Sequence, residues 1–238
     1  MDSISYSVSD EIFERFPEFI RGVVIAKDAK NCESLPELVA LLRAEEKSLR
    51  ERLTTETLLA DPRIVSWREA FRSLGIKPSE FRPSTEAMAR RIINGNELPS
   101  INALVDIGNI ISLRYLLPAG GHSLNAVRQP IALRAATGAE DFIPFGSNQV
   151  EHPEKGEFIF AEGNDVLTRR WVWRQSNHTL TELSTTFIEF NLDGLPPVTS
   201  DEIIAIGDDL ALLVRRFCGG EIAIDILSTT NREMVISG

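Results

Sequence analysis

Apolar positions along the chain fall into two regimes. In the first half they recur mainly at helical intervals, and in the second they alternate or run together at strand length. Residues 19–26, FIRGVVIA, are rich in β-branched side chains and predict an early strand. Over residues 35–59, Leu38, Leu41, Leu42, Leu49 and Leu53 predict one long helix, with Pro36 suited to its first turn. Asp61-Pro62 predicts the next helix start, and Ile64, Val65, Trp67, Phe71 and Leu74 carry that helix to Gly75. Ser84 is expected to cap a helix through Ile93, ended by Asn94-Gly95-Asn96. Pro99 and Ser100 are expected to open another, running to Leu117-Pro118.

Beyond Gly120-Gly121 the period changes. Residues 131–135, 157–161, 166–174 and 185–191 read as strands, and Leu195-Pro196-Pro197 reads as a break. Residues 199–217 read as a helix capped by Ser200, with Asp201 and Glu202 at the positive end of its dipole. Residues 221–227 read as a last strand. Helices early and strands late predict an α+β fold rather than a doubly wound sheet. The expected organisation is an N-terminal strand and helical segment, residues 1–60, packed on a unit formed by residues 61–238.

One helix carries a polar stripe. Asn102, Asp106 and Asn109 are spaced four and three apart, on one face of a helix otherwise made of Ile101, Leu104, Val105, Ile110 and Ile111. Burying an amide or carboxylate without a partner costs about 1–3 kcal/mol, so the fold or a ligand must satisfy these groups. A second unusual run is Arg169-Arg170-Trp171-Val172-Trp173-Arg174. Strand alternation would put Arg170, Val172 and Arg174 on one face and both tryptophans with Arg169 on the other. Aromatic rings beside arginines can stack a base or clamp a carboxylate, and half-buried tryptophans with surface arginines give the same pattern.

Composition narrows the chemistry. The 238 residues are 43% hydrophobic and 25% charged, as in ordinary globular proteins. No apolar run approaches the ~20 residues needed to span a membrane. The acidic N-terminus does not read as a signal peptide, so the cytoplasm is the expected compartment. Cys32 and Cys218 form no CxxC pair, and His122, His152 and His178 show no metal-ligand spacing, so neither a metal nor another cofactor is expected. Walker, GxGxxG and GxSxG patterns are missing, which argues against a nucleotide hydrolase, a Rossmann oxidoreductase and an α/β-hydrolase. The net charge of −10 opposes long-range attraction to nucleic acid. Yet the stretch 63–91 holds seven cations, Arg63, Arg68, Arg72, Lys77, Arg82, Arg90 and Arg91, against Glu69, Glu80 and Glu86. That excess is a candidate basic face, or a pair of solvated helix faces.

The same central region carries a resemblance. Phe81-Arg82-Pro83-Ser84 with Glu86, Arg90-Arg91, Leu98-Pro99-Ser100-Ile101-Asn102, Val105-Asp106 with Asn109, Ser112-Leu113 and Leu117-Pro118 with Gly120-Gly121 occur in order. The chain resembles the B3/B4 domain of the bacterial phenylalanyl-tRNA synthetase β subunit, in its free-standing form, over roughly residues 61–190. In the synthetase that domain binds tRNA and hydrolyses tyrosine wrongly attached to phenylalanine tRNA. The resemblance implies Asn109 as the pocket asparagine of a VDxxN motif and His122 as a counterpart of a nearby pocket histidine. Asp106, the aspartate of that motif, is expected to bond neighbouring groups. Asn102 is added as a pocket residue. Glu157 is implied as the substrate-reading carboxylate and Thr186, beside Thr185, as part of a pocket strand. Arg170, Trp171 and Arg174 stand where the synthetase is glycine-rich, implying a rebuilt pocket wall. Arg82, Arg90 and Arg91 are expected to contact RNA.

Three functions remain open from the sequence: a hydrolase acting in trans on misacylated tRNA, a non-catalytic RNA-binding module, and a binder of amino-acid-like carboxylates.

Overall fold

Strand β2 (Ile20–Lys27) is buried along nearly its whole length, and that double burial organises the fold. A strand covered on both faces reads as a continuous apolar run, which is why residues 19–26 are legible in the sequence. The structure is a computed structural model and describes residues 3–237. It is α+β, with helices concentrated in the first half and sheet toward the C-terminus.

Two sheets are present among the described residues. One has four strands in the order β3 (Ala119–Ser123), β8 (Ile188–Gly194), β2 and β9 (Glu221–Leu227), all antiparallel. The other has six, in the order β10 (Glu233–Ile236), β1 (Ile4–Val8), β4 (Ile131–Ala135), β5 (Phe158–Glu162), β6 (Asp165–Arg169) and β7 (Arg174–Gln175). Within it only the β1–β4 pair is parallel. The first sixty residues thus supply an internal strand to each sheet.

The four-stranded sheet separates two apolar layers. Ile20, Val24 and Ala26 of β2 join Ile188, Phe190 and Leu192 of β8 in a core with the helices. Those helices include α2 (Pro36–Arg52), α3 (Thr55–Ala60), α5 (Ser84–Ile93), α6 (Ala103–Tyr115) and α7 (Ser200–Phe217). Phe19, Val23 and Ile25 point the other way and join Tyr6, Phe160 and Trp171 in the layer between the sheets. Helix α1 (Asp10–Arg15) and helix α4 (Pro62–Ser73) add Ile12, Phe13, Trp67 and Phe71 to this second layer. Gly22 permits the close approach of α7, because an added Cβ would lie 2.6 Å from Ile203 Cγ2.

Local chemistry shifts several expected boundaries. The long N-terminal helix breaks at Leu53, because Thr54 and Thr57 form a reciprocal capping box that starts α3. Ser84 is the first residue of α5 rather than its cap, a place taken by Pro83 without a side-chain bond. Helix α6 is capped by Asn102, not opened at Pro99, and α7 is capped by Thr199, not Ser200. The strand expected at 185–191 lies at Ile188–Gly194. The run expected as one strand over 166–174 is two strands joined by a turn at residues 170–173. Strands β1, β3 and β10 and helix α1, each six residues or shorter, were not anticipated from periodicity.

Candidate functional site

Helix α6 places one amide at a cleft and spends the other polar groups of its stripe. Asn102 Oδ1 accepts from Val105 N (3.1 Å), and its Nδ2 donates to Thr181 O (2.8 Å). Asp106 accepts from the hydroxyls of Ser34 (2.7 Å) and Ser100 (2.5 Å) and from Ile101 N (3.1 Å). Both are buried and neither lines the cleft, so they organise the start of α6 and are not ligand contacts. Asn109, one turn further on, lines the cleft, and among the described residues its side chain is without a hydrogen-bond partner.

The cleft has a volume of about 650 Å³ and runs along edge strand β3, between α6 and the six-stranded sheet. Gly121 brings that edge down onto Phe190, where an added Cβ would lie 3.1 Å from Cε1. Apolar side chains dominate the walls, including Leu104, Val105, Phe160 and Phe190. Ile101 and Phe145, 55% and 63% exposed, stand at the mouth.

His122 sits on β3 with 2% exposure and lines the cleft. Gln175 Nε2 donates to Gly121 O (2.9 Å) and lies 3.3 Å from His122 Nδ1, which also meets the Thr179 hydroxyl at 2.7 Å. An amide nitrogen can only donate, so Nδ1 is assigned as acceptor and the ring proton rests on Nε2, 3.2 Å from the Thr168 hydroxyl. Burial, reinforced by Arg21 and His178, lowers the imidazole pKa to about 3. The ring is therefore neutral at physiological pH and a poor proton acceptor.

Behind His122 the floor is polar. Strand alternation puts Glu189, Asn191 and Asp193 of β8 on the face opposite Ile188, Phe190 and Leu192. Arg21 of β2 sits directly across from Asp193 in register, and His122 directly across from Glu189. Arg21 is 1% exposed and donates from Nε (2.6 Å) and Nη2 (2.7 Å) to the two oxygens of Asp193. Its Nη1 donates to the Tyr6 hydroxyl (3.2 Å), which in turn donates to Asn191 Oδ1. Burial opposes the charge on Arg21, but Asp193 and Tyr6 outweigh it and raise its pKa. Burial pushes the Glu189 carboxyl well above the usual carboxylate range, more than Arg21 can offset.

The other expected site residues fare differently. Glu157 does not reach the cleft: it accepts from Arg169 Nε (2.9 Å) and Nη2 (2.8 Å) and from Arg170 N (3.1 Å). An arginine fork thus engages both carboxylate oxygens. Thr186 is exposed, accepts from Asn125 Nδ2 (3.0 Å) and also lies outside. The expected strand alternation of the Arg/Trp run fails because Arg170 (φ 46°) and Trp171 (φ 64°) are both left-handed. Arg170 turns away from the cleft, its guanidinium carbon 3.7 Å from the Phe81 ring centre and 4.7 Å from that of Trp173. Trp171 contributes to the cleft's inner wall, but its ring is buried edge-on against Trp67, Phe16 and Phe19. Arg174 and Trp173 do line the cleft.

On the presumed basic face, Arg82 and Arg91 are exposed, while Arg90 and Arg68 share the buried carboxylate of Glu86 at 2.9 and 2.7 Å. Among the described residues no group of three or more His, Cys, Asp and Glu could hold a metal ion, and no helix is long and apolar enough to cross a membrane.

Of the residues singled out from the sequence, Asn109, His122, Trp171 and Arg174 line the cleft, and none of the polar floor was among them. One signal was present: Glu189, Asn191 and Asp193 alternate with apolar residues in a strand, and Arg21 interrupts an otherwise apolar one.

The chain is thus an α+β domain with an apolar cleft over a polar floor. The chain belongs to the B3/4 domain family, whose model matches residues 66–212. No curated protein matches it. Among solved structures it is similar to an N-terminal fragment of the phenylalanyl-tRNA synthetase β-subunit from Pyrococcus horikoshii, at 10% identity and a TM-score of 0.47. That likeness covers 92% of this chain and 50% of the other, so the chain spans half the length of that fragment.

Proposed function

We propose that the cleft receives the aminoacyl ester at the end of a mischarged tRNA and hydrolyses it with a water oriented by Asn109. The observation that carries this reading is the uncommitted Asn109 amide facing a cleft of about 650 Å³ in a B3/4 domain. An aminoacyl ester is already reactive, so positioning a water and stabilising the developing oxyanion can supply the acceleration. The water oxygen bonds to the carbonyl carbon, the ester C–O bond breaks, and the water's proton ends on the departing ribose oxygen. His122, neutral and held by two threonines, shapes the wall rather than taking that proton. Arg82 and Arg91, both exposed, and Arg174 at the cleft are among the cations available to a phosphate backbone.

The test is deacylation of a panel of mischarged tRNAs by the purified chain. Faster loss of at least one ester is expected, slowed at least tenfold by Asn109→Ala. Decay at the spontaneous rate across the panel would end this reading.

A second reading, capture of a free amino-acid-like ligand without RNA, draws on the charge distribution. The net charge is −10, and Arg63, Arg68, Arg90 and Arg114 are all engaged by carboxylates. It predicts a thermal shift with free amino acids and none with tRNA.

A further inference from the structure

The outer strand of the four-stranded sheet lacks the usual protection of an edge. Strand β9 has a neighbour, β2, on one side only. Ile226 N turns away from β2 and donates to Asp225 Oδ1 (2.7 Å), and Ile226 O accepts from Asn231 Nδ2 (2.7 Å). In an antiparallel ladder the backbone groups of alternate residues face the same side. Ile222 and Ile224 therefore present N–H and C=O to the open edge, where among the described residues these groups have no partner. Natural edges are blunted by Lys, Pro, a bulge or shortness. The seven residues of β9, EIAIDIL, contain neither Lys nor Pro and pair with β2 without a register shift.

Helix α7 continues this edge above the sheet. Gly207 packs over β9, where an added Cβ would lie 3.4 Å from Ile224 Cγ2. Asp209 bonds to Arg114 and Tyr115 of α6, so that side of α7 faces into the molecule. Helical spacing puts Ile204, Asp208 and Arg215 on the side away from α6, toward the free edge of β9. All three are exposed, as is Leu212 beside them, and among the described residues Asp208 and Arg215 form no ion pair.

We propose that the edge formed by β9 and α7 is a homodimer interface, in which β9 pairs antiparallel with β9 of a second copy about a two-fold axis through Ile222.

Charge and hydrogen bonding select that register from its neighbours. An axis through Ile224 sets Ile222 opposite Ile226, whose backbone groups are already taken. An axis through Ala223 sets Glu221 opposite Asp225, and like charges directly opposite destabilise a strand pair. An axis through Ile222 sets Glu221 opposite Ala223 and meets neither obstacle. The same axis suits α7, which runs antiparallel to β9 because only Gly219-Gly220 separate them in the chain. A helix rises about 1.5 Å per residue and a strand about 3.4 Å, so two residues back from Ile224 correspond to roughly four onward from Gly207. That level is Ala211 and Leu212. A two-fold axis between them brings Asp208 of each copy to Arg215 of the other. A two-fold interface must be complementary to itself, and these two side chains supply that complementarity. Strand β9 and Arg215 lie beyond the stretch that matches the family. Strand β3, which borders the cleft, is the opposite edge of the same sheet, so pairing through β9 leaves the cleft of each copy open.

The test is sedimentation velocity of the full chain over a concentration series. Physiological ionic strength screens the net charge of −10 that each copy carries. A reversible monomer–dimer equilibrium is expected. Arg215→Glu sets one carboxylate against another at Asp208 and should weaken the dimer about tenfold or more, while adding Asp208→Arg should restore it to within about threefold. Ala223→Glu, placed opposite Glu221, should weaken it likewise, and Glu221→Lys in the same chain should restore it. All four positions are exposed, so each variant is expected to fold. A chain that stays monomeric at every concentration, the outcome if this edge instead takes a strand from a different protein, overturns the proposal. So does a dimer indifferent to both single changes, or one that the paired changes fail to restore.

Discussion

The Thr179 hydroxyl lies 2.7 Å from Nδ1 of His122, and with Thr168 on the other ring nitrogen it holds a buried, neutral imidazole against the cleft. The unfolded chain protonates this histidine near its ordinary pKa of 6.5, whereas the folded chain does so only near 3. A depressed folded pKa contributes stability that is complete above pH 6.5 and lost as pH falls from there toward 3. His122→Gln should remove this contribution, which amounts to about 1.4 kcal/mol per pH unit at most. Urea unfolding at pH 7, 6 and 5 measures it, and parallel pH slopes for the two proteins would contradict the assignment.

The same neutrality bears on hydrolysis. With His122 unable to accept a proton near pH 7, the deacylation rate should show no inflection near pH 6.5. A pH–rate profile from 5 to 8 checks this, and a break at 6.5 that disappears in His122→Gln would show the ring acting as a base.

Asp193→Ala strips Arg21 of its carboxylate and leaves a buried guanidinium unpaired. Loss of one partner of such a pair costs about 3–5 kcal/mol. Replacing both, Arg21→Met with Asp193→Leu, should recover most of that loss in chemical denaturation. If the single variant is as stable as wild type, the pair is not buried as described.

Trp171 packs its ring at 5.1 Å from Trp67, 4.9 Å from Phe19 and 5.0 Å from Phe16, all edge-on. Trp171→Ala should therefore cost about 3–5 kcal/mol, the usual range for a buried aromatic truncated to alanine. Denaturant midpoints measure this, and a loss below about 1 kcal/mol would contradict the packing.

The arginines of α5 should separate by function. Arg91, exposed, should on reversal to Glu weaken tRNA binding and lower its salt slope by about one. Arg90, tied to the buried Glu86, should on substitution by Ala change stability more than affinity. Equal affinity losses from the two variants, measured across a salt series, would count against this division.

How much of this was legible in the chain depends on the range of the encoding interaction. The α+β class, β2 and helices α4 to α7 follow from periodicity, caps and breakers acting over a few residues, and so does the face that carries Asn109. Boundaries slipped where local signals competed, as at Thr54, Asn102 and Thr199. The fate of each polar group was not local. Asn102 and Asp106 share a stripe with Asn109, yet partners at Thr181 and Ser34 absorb the first two and leave the third at a cleft. Glu157 looked like a pocket carboxylate until the turn at Arg170 brought Arg169 onto it. Arg21 meets Asp193 across 172 residues of chain, a pairing that sequence periodicity does not encode. Short-range sterics and hydrogen bonding set which residues become helix or strand. Only the packed sheets decide which buried charges meet one another and which face an opening, because burial and desolvation are properties of the whole assembly.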